Sequence, residues 1–374
     1  MAYEVTSLSD MEHAPAVWTD IVNNSPTAWF WTTYAMHQFR VEATQASGGF
    51  VADRSFLLTA EGRPCGLSPL VLTRDPSSGL LAAAYADAPL SWPMAAADAR
   101  DRAEVEDALL DEMERRIEEA GAGYVKLMLA PPGNGEGVAE RFQHIVRHRR
   151  FVDTSFPSHV IEVTPDITEN IRERYRRYMK KHNDDYEIST IAPDEVPHDF
   201  ERTYMDIHTK DAGRVVRPLE TYRKQIDLLR CGEGFGVVAR NKAANRAVGI
   251  LLVALHKQAA YDSSVAVDPE FQSHPVSNFL KRGAVKYLEK CGVRHYELGR
   301  AALAPSYLWQ PTGKNYGISF FKDGWSRGHL KTVYCAEKFY ALDSLQSFWG
   351  QRLRDLTAHF GLGGPSDAGP GNED

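Results

Sequence analysis

The two halves of this 374-residue chain carry the same order of predicted elements, and this repeat restricts the possible folds more than any other feature. In each half, two apolar segments joined by a polar turn predict a hairpin, and a further strand-like segment and a proline-containing loop follow. A helix comes next, and it stops at Ala120-Gly121 or Cys291-Gly292, directly before another strand. The chain is therefore predicted to contain two copies of one mixed domain.

The predicted strands of the first copy are residues 55–59, 65–73, 80–86 and 124–129. Those of the second copy are residues 236–240, 247–256, 258–267 and 295–298. Helices are predicted to precede the hairpins at residues 34–46 and 219–230. The helix before each last strand has an apolar residue at every fourth position, and the two sets differ by 171 residues (276 − 105): Val105, Leu109, Met113 and Ile117, then Val276, Leu280, Ala284 and Leu288.

Mostly antiparallel strands with one helix crossing between neighbouring strands predict an α+β fold. The order of elements resembles the GNAT acyltransferase fold, and its duplication resembles the FemABX group. The predicted architecture is two tandem GNAT-like domains, each with a mixed, mostly antiparallel sheet flanked by helices, at residues 1–164 and 165–360. The remaining residues, 361–374, are rich in Gly and Pro and predict a disordered tail. The alternative is a pair of unrelated α/β domains whose similar order is coincidental.

Composition narrows the class of protein. The net charge is −7, 43% of the residues are hydrophobic, and no apolar stretch is long enough for a membrane span. The acidic start differs from a secretion signal, and the four cysteines are far apart, so a cytoplasmic location is expected. A His-Glu-x-x-His motif is missing, and the pair His144 and His148 lies among arginines, so no metal site and no bound cofactor are predicted.

A basic segment precedes the second copy. Residues 171–181 (IRERYRRYMKK) contain six Arg or Lys and one Glu, and Ile171, Tyr175, Tyr178 and Met179 form an apolar stripe at helical spacing. This pattern predicts a helix with one buried face. Its cationic face is either simply solvated or a surface that binds phosphate groups.

The segment from residue 296 to residue 327 carries the most specific pattern. Fem-type aminoacyltransferases end their second domain with an acidic residue and glycine at a strand end, followed by Gly-x-x-x-Phe-Lys-x-x-Phe/Trp. This chain has Glu297-Leu298-Gly299 at the end of a predicted strand and then, after a loop, residues 317–325 (GISFFKDGW). Residues 176–182 and 25–38 also resemble the family. Two features differ from it: Ala88-Pro89 and Ser91-Trp92 replace its usual acceptor-site pattern, and the sequence contains no long coiled-coil insertion.

The resemblance implies roles for particular residues. Phe321 and Lys322 match the pair that handles the aminoacyl end of tRNA, and Arg176, with Lys180, is expected on an acceptor or tRNA phosphate. Apart from the resemblance, Asp262 follows Tyr261 on the predicted central strand of the second copy, where a carboxylate could orient the amine. Asp262 or Glu297 is the candidate to receive the amine proton, beside Lys322 as the third catalytic residue. Arg300 and Trp325 complete the candidate substrate-binding set. The alternatives are that Arg300 forms a structural ion pair with Glu297 and that Trp325 is a core residue.

The predicted function is amide-bond formation, with an aminoacyl group moving from aminoacyl-tRNA to a small peptide or a nucleotide-linked amine. DNA is not an expected partner. One alternative is a GNAT-like N-acyltransferase that takes an acyl group from CoA or an acyl carrier. Against it, the loop that would hold the CoA pyrophosphate, residues 268–280, contains no glycine. A second alternative is a binding module without catalysis.

Overall fold

The computed structural model describes residues 3–25, 27–75, 78–86, 88–129, 138–306 and 309–360, so the predicted tail at 361–374 lies outside the described residues. The helices are α1 (Ala14–Asn24), α2 (Tyr34–Ala46), α3 (Arg102–Glu119), α4 (Val138–Arg149), α5 (Ile167–Asn170), α6 (Glu173–Lys181), α7 (Phe200–Asp211), α8 (Leu219–Arg230), α9 (Val276–Lys290), α10 (Gly313–Ser326) and α11 (Leu342–His359).

The strands are β1 (Glu4–Ser7), β2 (Val51–Asp53), β3 (Phe56–Ala60), β4 (Arg63–Ser68), β5 (Val71–Arg74), β6 (Leu81–Ala83), β7 (Leu90–Ser91), β8 (Met94–Ala95), β9 (Tyr124–Met128), β10 (Val152–Asp153), β11 (Phe156–Glu162), β12 (Tyr186–Ile191), β13 (Gly234–Asn241), β14 (Arg246–His256), β15 (Ala259–Val267), β16 (His295–Arg300), β17 (Leu330–Val333) and β18 (Cys335–Phe339). The helices at 34–46 and 219–230 have the predicted bounds.

The described strands form one four-stranded and two seven-stranded sheets. The four-stranded sheet has the strand order β1-β3-β4-β8 and comes from the first half. The first seven-stranded sheet, mostly from the first half, has the order β10-β18-β9-β6-β5-β2, and β7 also pairs with β9. The second, mostly from the second half, has the order β12-β13-β14-β15-β16-β11-β17. The pairs β6–β9, β7–β9 and β15–β16 are parallel and the others are antiparallel. The predicted α+β architecture is confirmed. Within the described ranges, no helix combines the length and apolar character that crossing a membrane requires.

Equivalent glycines place the crossing helix in both halves. A Cβ atom on Gly66 of β4 would lie 2.8 Å from side-chain atoms of both Val105 and Leu109 on α3. A Cβ atom on Gly249 of β14 would lie 2.5 Å from the Val276 side chain, on α9. Glycine therefore lets the helix approach the strand closely at the same point of each copy. The contacts confirm the repeat on which the fold prediction depended.

One predicted strand of the first hairpin is wrong in detail. Residues 65–73 form two strands, because β4 ends at Ser68 and β5 begins at Val71. Pro69 lies at the break and has no N–H group to donate to a neighbouring strand. The two strands then belong to different sheets, with β4 beside β3 and β5 beside β2 and β6.

The two halves exchange strands. Strand β11 precedes residue 164 but lies between β16 and β17 of the second-half sheet, whereas β18 comes from the end of the chain and lies between β9 and β10 of the first-half sheet. A single boundary between residues 164 and 165 therefore does not separate the two sheets. The exchange brings Ser158 of β11 into the second half, where it contacts a predicted site residue.

Candidate active site

The candidate site begins where β15 and β16 diverge. The two strands pair only over residues 259–261 and 295–297, after which β15 continues against β14 and β16 continues against β11. At the divergence β15 contains a β-bulge, because Leu252 faces Ser264 and Val253 faces Asp262, which leaves Ser263 as the extra residue. Bulges redirect side chains and interrupt pairing, and they occur frequently beside active sites. We call this opening the β15–β16 cleft.

Glu297, on β16, is a buried acid at this cleft and is 6% exposed. Its Oε1 atom accepts a hydrogen bond of 2.7 Å from the Ser158 hydroxyl, and its Oε2 atom has no hydrogen-bond partner among the described residues. Burial raises the pKa of Glu297 to about 7, and the Ser158 hydrogen bond and the charge of Lys322 oppose that rise. A carboxyl group with this pKa exchanges a proton readily at neutral pH.

Asp262, on β15, is held by a lysine that the sequence analysis did not identify. Lys281, on α9, is 2% exposed, and its Nζ atom donates to Asp262 Oδ2 and, at 3.1 Å, to the Tyr296 hydroxyl. Burial lowers the pKa of Lys281, while the carboxylate of Asp262 counteracts this shift. The other oxygen of Asp262, Oδ1, is buried without a hydrogen-bond partner in the described structure. In the sequence, Lys281 directly follows Leu280 of the apolar stripe on the predicted helix. This position is the only sequence signal that could have identified it.

Lys322 reaches the same cleft from helix α10, which the sequence analysis did not predict. Helix α10 begins at a capping box in which the Thr312 side chain accepts from the Asn315 amide, and it ends at Arg327 in the left-handed conformation. Three glycines at 313, 317 and 324 lower the helix propensity of this segment, which explains why its sequence does not indicate a helix.

The Lys322 ammonium group lies over Gly299. This glycine has a φ of +90°, and a Cβ atom there would lie 3.2 Å from Lys322 Nζ and 3.7 Å from the Tyr261 hydroxyl. Burial lowers the pKa of Lys322, Asp262 and Glu297 raise it, and Lys281 lowers it further. The three predicted catalytic residues, Lys322, Asp262 and Glu297, thus interact electrostatically around one opening.

The first half supplies an aromatic wall beside this group. The Tyr261 ring stacks on Phe30 with ring centroids 5.2 Å apart, and it contacts Trp29 and Trp31 at 6.4 and 5.4 Å. Burial raises the pKa of Tyr261, which keeps its hydroxyl protonated as a hydrogen-bond donor. The cleft therefore lies at the junction of the two halves.

The basic helix α6 packs on α10. The rings of Tyr175 and Phe321 are 5.6 Å apart, and Arg172, which precedes the helix, forms a 2.7 Å ion pair with Asp323. The Arg172 guanidinium also covers the ring of Phe320, which is 60% exposed. Arg176 and Lys180 are exposed on α6, with neighbouring cations at Arg174, Arg177 and Lys181. The prediction of one buried face is consistent with Ile171 and Met179, which are both buried.

Two predicted substrate-binding residues lie elsewhere. Trp325 is fully buried and its Nε1 atom donates to Asn278 Oδ1 at 3.0 Å, so the assignment to substrate contact is corrected to a core role. The Arg300 guanidinium lies 4.9 and 4.3 Å from the ring centroids of Phe156 and Trp309, at a separate pocket of about 450 Å³ that is also lined by α11. Among the ion pairs of the described residues, none joins Arg300 to Glu297.

Comparison with known proteins gives a fold match. No protein-family model matches the sequence, and no curated protein matches it. The crystal structure of FemX superposes with a TM-score of 0.64 at 12% identity, covering 93% of this chain and 99% of that one. The chain has a Fem-like tandem GNAT fold.

Two further solved structures share this fold. The C-terminal domain of a putative lysylphosphatidylglycerol synthetase from Agrobacterium fabrum has a TM-score of 0.57 at 12% identity, and 91% of this chain and 96% of that one are covered. A tandem GNAT protein from the clavulanic acid biosynthesis pathway has a TM-score of 0.51 at 11% identity, with 90% and 98% covered. At such identities the likeness concerns the fold, and the activity depends on the site residues.

Proposed function

We propose that this protein is an aminoacyltransferase that moves an aminoacyl group from aminoacyl-tRNA to the amine of a small peptide or nucleotide-linked acceptor. The observation that carries the proposal is the convergence of Lys322, Glu297 and Asp262 where β15 and β16 diverge. The similarity of the fold to FemX and to a putative lysylphosphatidylglycerol synthetase supports a transferase. A cytoplasmic location and the absence of a bound cofactor remain part of the proposal.

The reaction needs little covalent chemistry from the protein. A peptide α-amine has a pKa of about 8, so a useful fraction is neutral at physiological pH. Its nitrogen attacks the ester carbonyl carbon, the C–N bond forms, and the C–O bond to the ribose breaks. In this proposal Lys322 stabilises the negative charge that develops on the carbonyl oxygen, and Glu297 receives the amine proton. The ribose oxygen leaves with a proton, which Glu297 returns.

The surface beside the cleft has the character that an RNA end requires. The cations of α6 provide phosphate contacts, and the exposed Phe320 ring, with Arg172 above it, offers a stacking surface for an unpaired base. Arg176 and Lys180 belong to this surface and not to the reacting centre. The acceptor is expected to enter on the side of the first half, where Phe30 and Trp31 pack against Tyr261.

The acyl-CoA alternative rests on the tandem GNAT neighbour, and the loop before α9 argues against it. Asp268 in this loop is buried and forms ion pairs with Arg246 and Lys210 at 2.5 and 3.4 Å. This carboxylate and the lack of glycine disfavour a pyrophosphate at the helix N-terminus. A purely structural role for the cleft is also disfavoured, because buried oxygens without partners in Asp262 and Glu297 cost stability.

The decisive experiment compares charged and deacylated tRNA by fluorescence anisotropy at low salt, beside coenzyme A by calorimetry. The wild type is expected to prefer charged tRNA, and Lys322→Ala is expected to lose that preference. Lys314→Ala is the matched control, because Lys314 is exposed on the same helix. Saturable heat from coenzyme A without tRNA affinity would overturn the proposal in favour of the acyl-CoA reaction.

A further inference from the structure

A second group of chemically active side chains lies away from the cleft, at the end of α6. His182 follows the last residue of α6, Asp185 lies in the next turn, and His274 comes from the loop before α9. One possible ligand atom from each residue lies within 4.8 Å of the other two. His182 Nδ1 and Asp185 Oδ2 are 2.7 Å apart, and the two imidazole rings are 5.0 Å apart.

We propose that His182, Asp185 and His274 bind a divalent transition-metal ion, with Zn²⁺ as the best match. Two imidazoles and one carboxylate are a common ligand set for Zn²⁺. Bonds of about 2.0–2.2 Å in tetrahedral geometry put ligand atoms about 3.3 Å apart, so modest side-chain rotations bring these atoms to bonding distance. Without the metal, the hydrogen bond between His182 and Asp185 occupies the same place, and binding displaces its proton.

The surroundings already orient the third ligand. The Tyr186 hydroxyl is 2.8 Å from His274 Nδ1, which leaves the Nε2 atom of that ring as the metal ligand. Ligating histidines are usually fixed in this way through their second nitrogen. The Tyr178 hydroxyl donates to the Ser273 carbonyl, so α6 is tied to the same loop next to the site. The metal would join the end of the basic helix to the loop that precedes α9.

The test is Co²⁺ titration of the EDTA-treated full-length protein, followed by visible absorption, with displacement by Zn²⁺. One equivalent is expected to bind, and Zn²⁺ is expected to raise the thermal midpoint. His274→Ala and Asp185→Asn are expected to lose binding, and Tyr186→Phe is expected to weaken it by about 10- to 100-fold. Circular dichroism checks that each variant folds, and the conservative Asp185→Asn change limits disturbance of the turn.

The matched control is the double variant His144→Ala/His148→Ala. These rings are 4.2 Å apart on α4, but no third ligand completes a metal-binding group with them in the described ranges. The control is expected to bind Co²⁺ like the wild type. Unchanged uptake by His274→Ala would identify an adventitious ion only, and either that result or no uptake by the wild type would overturn the proposal.

Discussion

At the scale of single residues, Glu297 connects stability to the proposed chemistry. Its carboxyl group is buried with one hydrogen bond from Ser158 and one oxygen without a partner. Burial of this kind destabilises the charged form, which is the form that a general base requires. The burial that lowers the stability of the folded chain at neutral pH is therefore also what suits Glu297 to the proton transfer in the proposed reaction.

Glu297→Gln is expected to separate these two effects. Activity should fall about 10²- to 10⁴-fold, because the amide cannot accept the proton. In the wild type the rate should rise with two deprotonations, that of Glu297 at about 7 and that of the amine at about 8, and the variant should keep only the rise that belongs to the amine. A rate measured against pH for both proteins checks this, and an unchanged profile in the variant would exclude Glu297 as the base.

The same variant, Glu297→Gln, is expected to raise the stability of the protein although it lowers the activity. The folded chain binds a proton at Glu297 more tightly than the unfolded chain, so wild-type stability falls as pH rises from the ordinary value of 4.5 to about 7. Glu297→Gln should remove this fall and be the more stable protein at pH 8, by an amount on the order of 3 kcal/mol at most. Urea unfolding at pH 4.5 and pH 8 measures it.

At the scale of elements, the contact of α6 with α10 positions Phe321 and the neighbouring Lys322. A Cβ atom on Gly324 would lie 2.2 Å from the Tyr175 ring, so the helices meet at a point where only glycine fits. The contact explains why a glycine-rich segment is helical: packing and the Thr312 cap outweigh its low intrinsic propensity.

Gly324→Ala is expected to lower the free energy of unfolding by about 1–3 kcal/mol, because the methyl group overpacks this contact. Gly317→Ala, on the same helix with open space around it, should instead stabilise the protein by about 0.5–1 kcal/mol. Urea unfolding measures both changes. Adding Tyr175→Ala to Gly324→Ala should remove the overpacking, and a neutral Gly324→Ala would show that the two helices do not press together there.

At the scale of the whole molecule, the strand exchange makes each half depend on the other. Without β18, the first-half sheet has a gap between β9 and β10, and without β11 the second-half sheet has a gap between β16 and β17. Unpaired strand edges of this kind favour aggregation. The position of the cleft at the junction of the two halves has the same origin, because β11 carries Ser158 across to Glu297.

A fragment of residues 1–164 is therefore expected to aggregate or to unfold without cooperativity. Strands β10 and β18 are antiparallel, with Val152 opposite Glu337, so a two-residue Asn-Gly turn should join residue 154 to residue 335. The fusion of residues 1–154 with 335–360 restores β18 and is expected to unfold cooperatively. Near-ultraviolet circular dichroism during urea unfolding compares the two, and cooperative unfolding of 1–164 would contradict the argument.

The sequence by itself determined the repeated elements and the fold, because apolar periodicity and glycine position are local properties that both copies preserve, as Gly66 and Gly249 illustrate. It also identified Lys322 and Glu297 as candidates through a family resemblance, and Asp262 through its place on the predicted central strand of the second copy. Only the tertiary structure decided that Lys281 holds Asp262, that Trp325 is buried, and that the halves exchange strands. The reason is physical: burial, ion pairing and sheet order depend on residues distant in the chain, whose spacing leaves no periodic signal.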